Sequence, residues 1–261
     1  MSSSSDPGLS EFFHTLCDAA AEQTLPMFRS GLGVSNKLDG EFDPVTEADR
    51  QAELAIRSLI EERFPDHGII GEEFGRVRKE ARHQWIIDPI DGTRAFISGL
   101  PVWGTLIGLY EDGVPVAGVM DQPFTKERYI SVDGNSSLLT GSSAATKLQT
   151  SAIASIAQST LMTTSPHLLM GEEDKSYFEV EKSVKLFRYG CDCYAYCLLA
   201  AGQIDLVIEA GLNIYDIAAL IPIIEGAGGI VTNWQGENAS QGGSVLAAAN
   251  KDLHAQALAL L

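Results

Sequence analysis

Trp85-Ile86-Ile87-Asp88-Pro89-Ile90-Asp91-Gly92-Thr93 decides the reading of this chain. An apolar strand, Trp85 to Ile87, delivers Asp88 to its carboxyl end. Pro89 fixes φ and carries no N–H, so it is expected to stop further sheet pairing. The chain then turns and sets Asp91 beside Asp88, with the Ile90 carbonyl between them. Gly92 permits close backbone approach. If a helix starts near Thr93, the N–H groups of Gly92 and Thr93 face outward at the positive end of its dipole, a place for an anion. One turn thus offers hard oxygen ligands for Mg²⁺ and donors for phosphate. Asp-Pro and Asp-Gly are also ordinary turn residues, so the segment gains meaning only from its neighbours.

Those neighbours are acidic too. Gly68-Ile69-Ile70-Gly71 reads as a short buried strand that runs into Glu72-Glu73. Asp43-Pro44-Val45-Thr46-Glu47-Ala48-Asp49 leads into a helix whose Ala52, Ile56, Leu59 and Ile60 recur at helical spacing. Thr46 fits its N-cap, Asp49 completes a capping box, and Pro65 ends it. Asp216 opens a further helix after a strand. Taken alone, Asp49 and Asp216 read better as helix caps than as ligands.

Outward from these acids, residues 10–29 read as a helix with Phe13, Leu16, Ala20 and Ala21 near one face. Residues 103–110 and 114–120 form a hairpin around Asp112-Gly113, and 128–132 adds a strand. Small polar residues over 141–158 make a linker. Beyond it, strands (160–164, 204–208, 229–233, 244–249) alternate with helices (194–201, 216–225). This alternation argues for a layered α/β architecture. The expected organisation is an N-terminal α+β half, residues 1–145, with most of the acids, and a C-terminal α/β half, residues 146–261, with Asp216.

Together, Asp43 to Asp49, Gly71-Glu72-Glu73, Asp88 to Thr93 and Tyr215-Asp216-Ile217-Ala218-Ala219 resemble the inositol monophosphatase family in order and spacing. The family usually has Trp where this chain has Tyr215. The resemblance implies an αβαβα sandwich of the inositol monophosphatase and fructose bisphosphatase type, and a homodimer. It implies two or three Mg²⁺ per site, held by Glu72, Asp88, the Ile90 carbonyl, Asp91 and Asp216. Asp49 and Thr93 would orient and activate the attacking water, with Glu72 also in the catalytic set. Gly92 and Thr93 would hold the phosphate, Glu73 would support the metal shell, and Lys37 would stand behind it.

The implied reaction is Mg²⁺-dependent hydrolysis of a small phosphomonoester. Two further acids bear on which one. Glu209 lies seven residues before Asp216, and Asp192 sits in Gly190-Cys191-Asp192-Cys193-Tyr194. This segment, and Arg94 after Asp91-Gly92-Thr93, resemble the histidinol-phosphate phosphatases of the superfamily. That likeness implies a substrate pocket containing Asp192, Glu209 and Arg94, and a role in histidine biosynthesis. Asp192 also reads as a helix cap, and Arg94 as a surface residue. An inositol or sugar-1-phosphate phosphatase is the rival reading, and a non-catalytic metal-binding scaffold a more distant one.

Composition sets outer bounds. Of 261 residues, 35 are acidic and 18 basic, a formal net charge of −17. Such a surface repels nucleic acid and anionic membranes, and an anionic substrate then needs cations at the site. No run approaches a membrane span; the most apolar, residues 218–231, is broken by Pro222 and Glu225. Cys191, Cys193 and Cys197 match no zinc spacing and no disulfide framework. The expectation is a soluble, intracellular protein: cytoplasmic, or chloroplast for a plant protein whose transit peptide has been removed.

Overall fold

The computed structural model describes residues 8–30, 35–36, 44–169 and 171–261. Helix α1 (Leu9–Thr24) stops where Pro26 can no longer donate a backbone bond. Two short strands, β1 (Ser35–Asn36) and β2 (Pro44–Val45), pair antiparallel ahead of α2 (Glu47–Arg63). Then come β3 (Gly68–Gly71), β4 (Gly75–Val77), β5 (His83–Asp91), the single turn α3 (Thr93–Ile97), β6 (Gly104–Glu111), β7 (Val114–Gln122), β8 (Glu127–Val132), β9 (Asn135–Thr140) and β10 (Thr146–Lys147). They form one eight-stranded sheet in the order β10-β9-β8-β7-β6-β5-β3-β4, antiparallel except between β3 and β5.

The chain then builds a second sheet from β11 (Thr160–Thr163), β12 (Leu186–Tyr189), β13 (Leu206–Leu212), β14 (Ile230–Asn233) and β15 (Gly243–Ala248), ordered β12-β11-β13-β15-β14. Its helices are α4 (Glu172–Ser183), α5 (Asp192–Ala200), α6 (Ile214–Ile217), α7 (Leu220–Gly226) and α8 (Lys251–Leu258).

Period-two alternation stacks these elements in five layers. On β6, Ile107 faces α1 and α2 in a cluster with Phe13, Ile56 and Trp85. Its neighbour Leu106 faces the other way, into a cluster with Tyr196 of α5 and Ile223 of α7. On β15, Val245 and Ala247 complete that middle cluster, while Leu246 joins Leu253 of α8 and Tyr177 of α4 on the far side. The result is an αβαβα sandwich.

Two sequence expectations change. Pro89 does not end β5: Asp88 pairs with Leu106 and Asp91 with Gly104, so the strand resumes after a bulge at Pro89-Ile90. The Pro89 carbonyl still accepts a bond, 2.8 Å from Thr105 Oγ1, so the missing N–H displaces the ladder locally and no more. The helix expected over 216–225 is two helices, α6 and α7. Pro222 cannot donate to the Ala218 carbonyl, which explains the break. The junction also lies flush on the large sheet: a Cβ on Gly118 would stand 2.3 Å from the Ala219 carbonyl oxygen.

Candidate active site

Four elements from both halves converge on the acids. The β5 bulge presents Asp88 and Asp91 on the same side, and α6 brings Asp216 to them. One carboxylate oxygen from each of Asp88, Asp91 and Asp216 lies within 4.8 Å of the others. Asp216 is also the N3 residue of α6 and accepts the Asn213 N–H at 2.7 Å. The cap reading and the ligand reading are therefore compatible: one oxygen caps while the carboxylate faces the cluster.

Burial and crowding raise the carboxyls of this cluster. Asp88 is 2% exposed. Its pKa is pushed well up by burial, then by Glu72, Asp91 and Asp216. Asp91 is raised by burial, Asp192 and Asp216; the Cys193 N–H, 2.7 Å away, works against this. Buried like charges at this spacing hold protons unless cations replace them. Hard oxygen donors in this crowded set fit a divalent cation such as Mg²⁺.

The remaining sequence candidates fall around this centre. Asp49 is buried on the first turn of α2, and its Oδ2 accepts from Thr46 N at 2.8 Å and Thr46 Oγ1 at 2.5 Å. Burial pushes its carboxyl up to about 6 against those two bonds, and Glu72 raises it further. Thr93 Oγ1 donates to the Ile90 carbonyl at 3.1 Å, and Ile90 N donates to Asp88 Oδ1 at 3.1 Å. Gly92 is the N-cap of α3 with φ 84. Lys37 lies outside the described residues.

A cleft of about 390 Å³ opens beside the cluster, lined by Asp91, Gly92, Thr93, Arg94, Asp192, Glu209 and Asp216 among others. Asp192 packs on Gly92: a Cβ there would be 3.2 Å from both Cβ and Cγ of Asp192. Cys191, not Asp192, is the N-cap of α5, and no side-chain capping bond forms. Asp192 instead holds a left-handed φ of 43, which Asp tolerates better than most residues. Burial raises its carboxyl to about 6, with the Arg94 guanidinium opposing. Glu209 is raised to about 7 by burial, in spite of bonds from Thr164 N at 2.8 Å and Thr164 Oγ1 at 2.7 Å. Arg94 is exposed at the cleft rim.

Sequence reasoning missed three supports: the Cys193 N–H on Asp91, Thr164 on Glu209, and the buried Glu53 beside Glu72-Glu73. The first two join residues 102 and 45 positions apart, which local patterns cannot reveal. Glu53 did leave a trace, since it repeats Asp49 one helical turn on.

The αβαβα order and the carboxylate cluster at the meeting of the two sheets define a class of metal-site hydrolase scaffold. A sequence model of the Inositol monophosphatase family matches residues 9–261, and the chain belongs to this family as one of its phosphatases. Among its relatives is "Bifunctional phosphatase IMPL2, chloroplastic" of Arabidopsis thaliana, 45% identical over 94% of this chain and 72% of that protein. "Histidinol-phosphatase" of Chlorobaculum parvum is 38% identical over 90% and 89%. An inositol monophosphatase structure from Zymomonas mobilis superimposes with a TM-score of 0.85 at 40% identity, covering 98% of both chains. Among the described residues, no helix is long and apolar enough to cross a membrane.

Proposed function

We propose that this protein is a Mg²⁺-dependent phosphatase that hydrolyses histidinol phosphate to histidinol and inorganic phosphate. Asp88, Asp91, Asp216, Glu72 and the Ile90 carbonyl would hold the metal, with Glu73 supporting them. Bound Mg²⁺ would supply charge neutralisation and a more acidic water. Thr93 spends its proton on the Ile90 carbonyl, so its oxygen is left to accept from the attacking water. Asp49, fixed by Thr46, orients the water from the opposite element, α2. The Gly92 and Thr93 N–H groups hold the phosphate. The water oxygen would bond to phosphorus as the ester bond breaks, and the proton that the water gives up balances the one that the leaving alkoxide takes up.

One observation carries the substrate assignment. Asp192 sits directly on the Gly92 turn, with Glu209 in the same cleft. In histidinol phosphate the ammonium group is on the carbon next to the phosphate-bearing one. A cation is therefore required within a few ångströms of the phosphate, where Asp192 stands. Glu209 offers a second carboxyl group deeper in the cleft, and the exposed Arg94 at the rim lies near enough to Asp192 to oppose its raised pKa. The names of the Chlorobaculum and Mycobacterium tuberculosis relatives, both "Histidinol-phosphatase", support this reading.

The test is phosphate release from histidinol phosphate and inositol 1-phosphate, each with and without Mg²⁺. The proposal expects kcat/KM to favour histidinol phosphate by several hundredfold. The second reading, an inositol or sugar-phosphate phosphatase, draws on the 40% identical Zymomonas structure; preference for inositol 1-phosphate would establish it. Absence of Mg²⁺-dependent turnover on any phosphate ester would leave a metal-binding scaffold.

We also propose a homodimer. The edge strand β12 exposes Leu186, Phe187 and Tyr189 on a sheet margin that is otherwise unpaired among the described residues, a surface that a second copy would cover. A reducing intracellular compartment fits four free cysteines.

A further inference from the structure

Helix α2 carries more than Asp49. One turn later, Glu53 is fully buried and Arg57 nearly so, at 0% and 8% exposure. Arg57 Nε donates to Glu53 Oε1 at 2.7 Å. The pair does not simply neutralise itself. Glu53 Oε2 accepts the Glu73 N–H at 2.7 Å, and Oε1 accepts the Phe74 N–H at 3.2 Å. Arg57 Nη2 donates to the Gly75 carbonyl at 2.5 Å. Glu73 and Phe74 of the β3–β4 turn and Gly75, the first residue of β4, are thus held by two side chains of α2, and that turn starts with Glu72.

A buried ion pair is a poor way to gain stability, because desolvating both ions offsets their attraction. Its use here is geometric. The backbone groups of a tight turn need partners once buried, and those partners stand on the same helix face as Asp49. We infer that Glu53 and Arg57 are positioning residues: they lock the Glu72-Glu73 turn to α2, fix Glu72 relative to Asp49 and Asp88, and so set the affinity of the carboxylate cluster for its cation. Neither residue belongs to the Asp88, Asp91 and Asp216 cluster or lines the cleft beside it. The inference rests on the metal-binding reading of the cluster and is independent of which phosphomonoester is hydrolysed.

The experiment is equilibrium binding of Mn²⁺ to the full chain without substrate, read as free Mn²⁺ by electron paramagnetic resonance. The variants are Glu53→Gln and Arg57→Lys. Glu53→Gln keeps the shape but turns an N–H₂ toward a backbone N–H; Arg57→Lys keeps the charge but loses the fork to Gly75. The expected result is a Mn²⁺ dissociation constant raised at least tenfold in Glu53→Gln and several-fold in Arg57→Lys. At saturating Mg²⁺, KM for the substrate should stay within twofold. Either variant, folded by circular dichroism, with Mn²⁺ affinity within twofold of the parent overturns the inference, as does a lowered melting temperature without a change in affinity. If Glu53→Gln does not fold, Arg57→Lys alone decides. Failure of the unsubstituted protein to bind Mn²⁺ would refute the metal reading itself, a different result from unchanged variants.

Discussion

Replacing Asp192 by Asn isolates the charge that the substrate assignment depends on. The substitution is nearly isosteric, and Asn is among the residues that accept a left-handed φ such as the 43 seen here. The contact with Gly92 at 3.2 Å should survive, so the fold should be unaffected. Two opposite charges about 4 Å apart attract by about 4 kcal/mol at an effective dielectric of about 20. Asp192 is only part buried and Arg94 shares its field, so the lower figure for a charge-assisted hydrogen bond, about 2 kcal/mol, is the better one. That corresponds to roughly a 30-fold rise in KM for histidinol phosphate. KM for inositol 1-phosphate, whose leaving alcohol carries no charge, should move little. Because Asp192 is the first neighbouring charge that raises Asp91, and the same negative field attracts a dication more strongly than a proton, the variant should also need more Mg²⁺ for half activation. The assay is steady-state phosphate release at several Mg²⁺ concentrations. An unchanged KM for histidinol phosphate, or equal losses on both substrates, would refute the cation-selecting role and leave the phosphatase standing.

Three other outcomes follow from the same geometry. Glu209 ordinarily titrates near 4.5 and is raised to about 7, so the native state holds a proton that the unfolded chain releases. This stabilisation is complete below about pH 4.5 and lost as pH rises past about 7, worth up to about 3 kcal/mol; Asp49, raised from 3.8 to about 6, acts in the same direction. Chelator-treated protein should therefore melt higher at about pH 5.5 than at about pH 8, with Mg²⁺ restoring the loss, and the opposite order in calorimetry would contradict the burial argument. Gly92→Ala places a Cβ 3.2 Å from Asp192 and 3.3 Å from Trp103 Cα at a φ of 84; a strain of about 1–2 kcal/mol is expected in melting, with turnover down about a hundredfold because the phosphate turn moves. Phe187→Glu on the exposed edge strand should give a monomer in sedimentation velocity where the parent is a dimer, and an unchanged sedimentation coefficient would place the interface elsewhere.

How much of this was legible depended on the range of the contacts involved. The apolar strands before Glu72 and Asp88 and the capped helix at Thr46 follow from local patterns; the first strand and the helix end where their residues predict, whereas the strand before Asp88 runs on past Pro89 to Asp91. Asp112-Gly113 marked a hairpin correctly, with φ of 50 and 81 at the turn. Asp133-Gly134 makes the same turn, with φ of 51 and 71. Its second strand, β9, was hidden because Ser136 and Ser137 stand where apolar residues would signal a strand. Helices α4 and α8 escaped for a related reason: α8 buries only Leu253 and Ala257, too few to set a period.

The candidate site was legible as a list of acids but not as a geometry, and the difference has one physical source. Each acid lies at the end of a locally specified element, so its presence can be read from a few residues. Its distance from the next acid is set by packing between elements far apart in sequence. Gly118 admits the α6–α7 junction against the sheet and so brings Asp216 over Asp88. Cys193 ties the start of α5 to Asp91 across 102 positions. Glu53 and Arg57 tie the Glu72 turn to the Asp49 helix. These three ties use a glycine, a backbone N–H and a buried ion pair, none of which is unusual in a sequence. They are also the contacts through which a substitution outside the carboxylate set would reach the metal. A search for residues that tune such a site should therefore start from what holds the acid-bearing elements together, and only then turn to the acids.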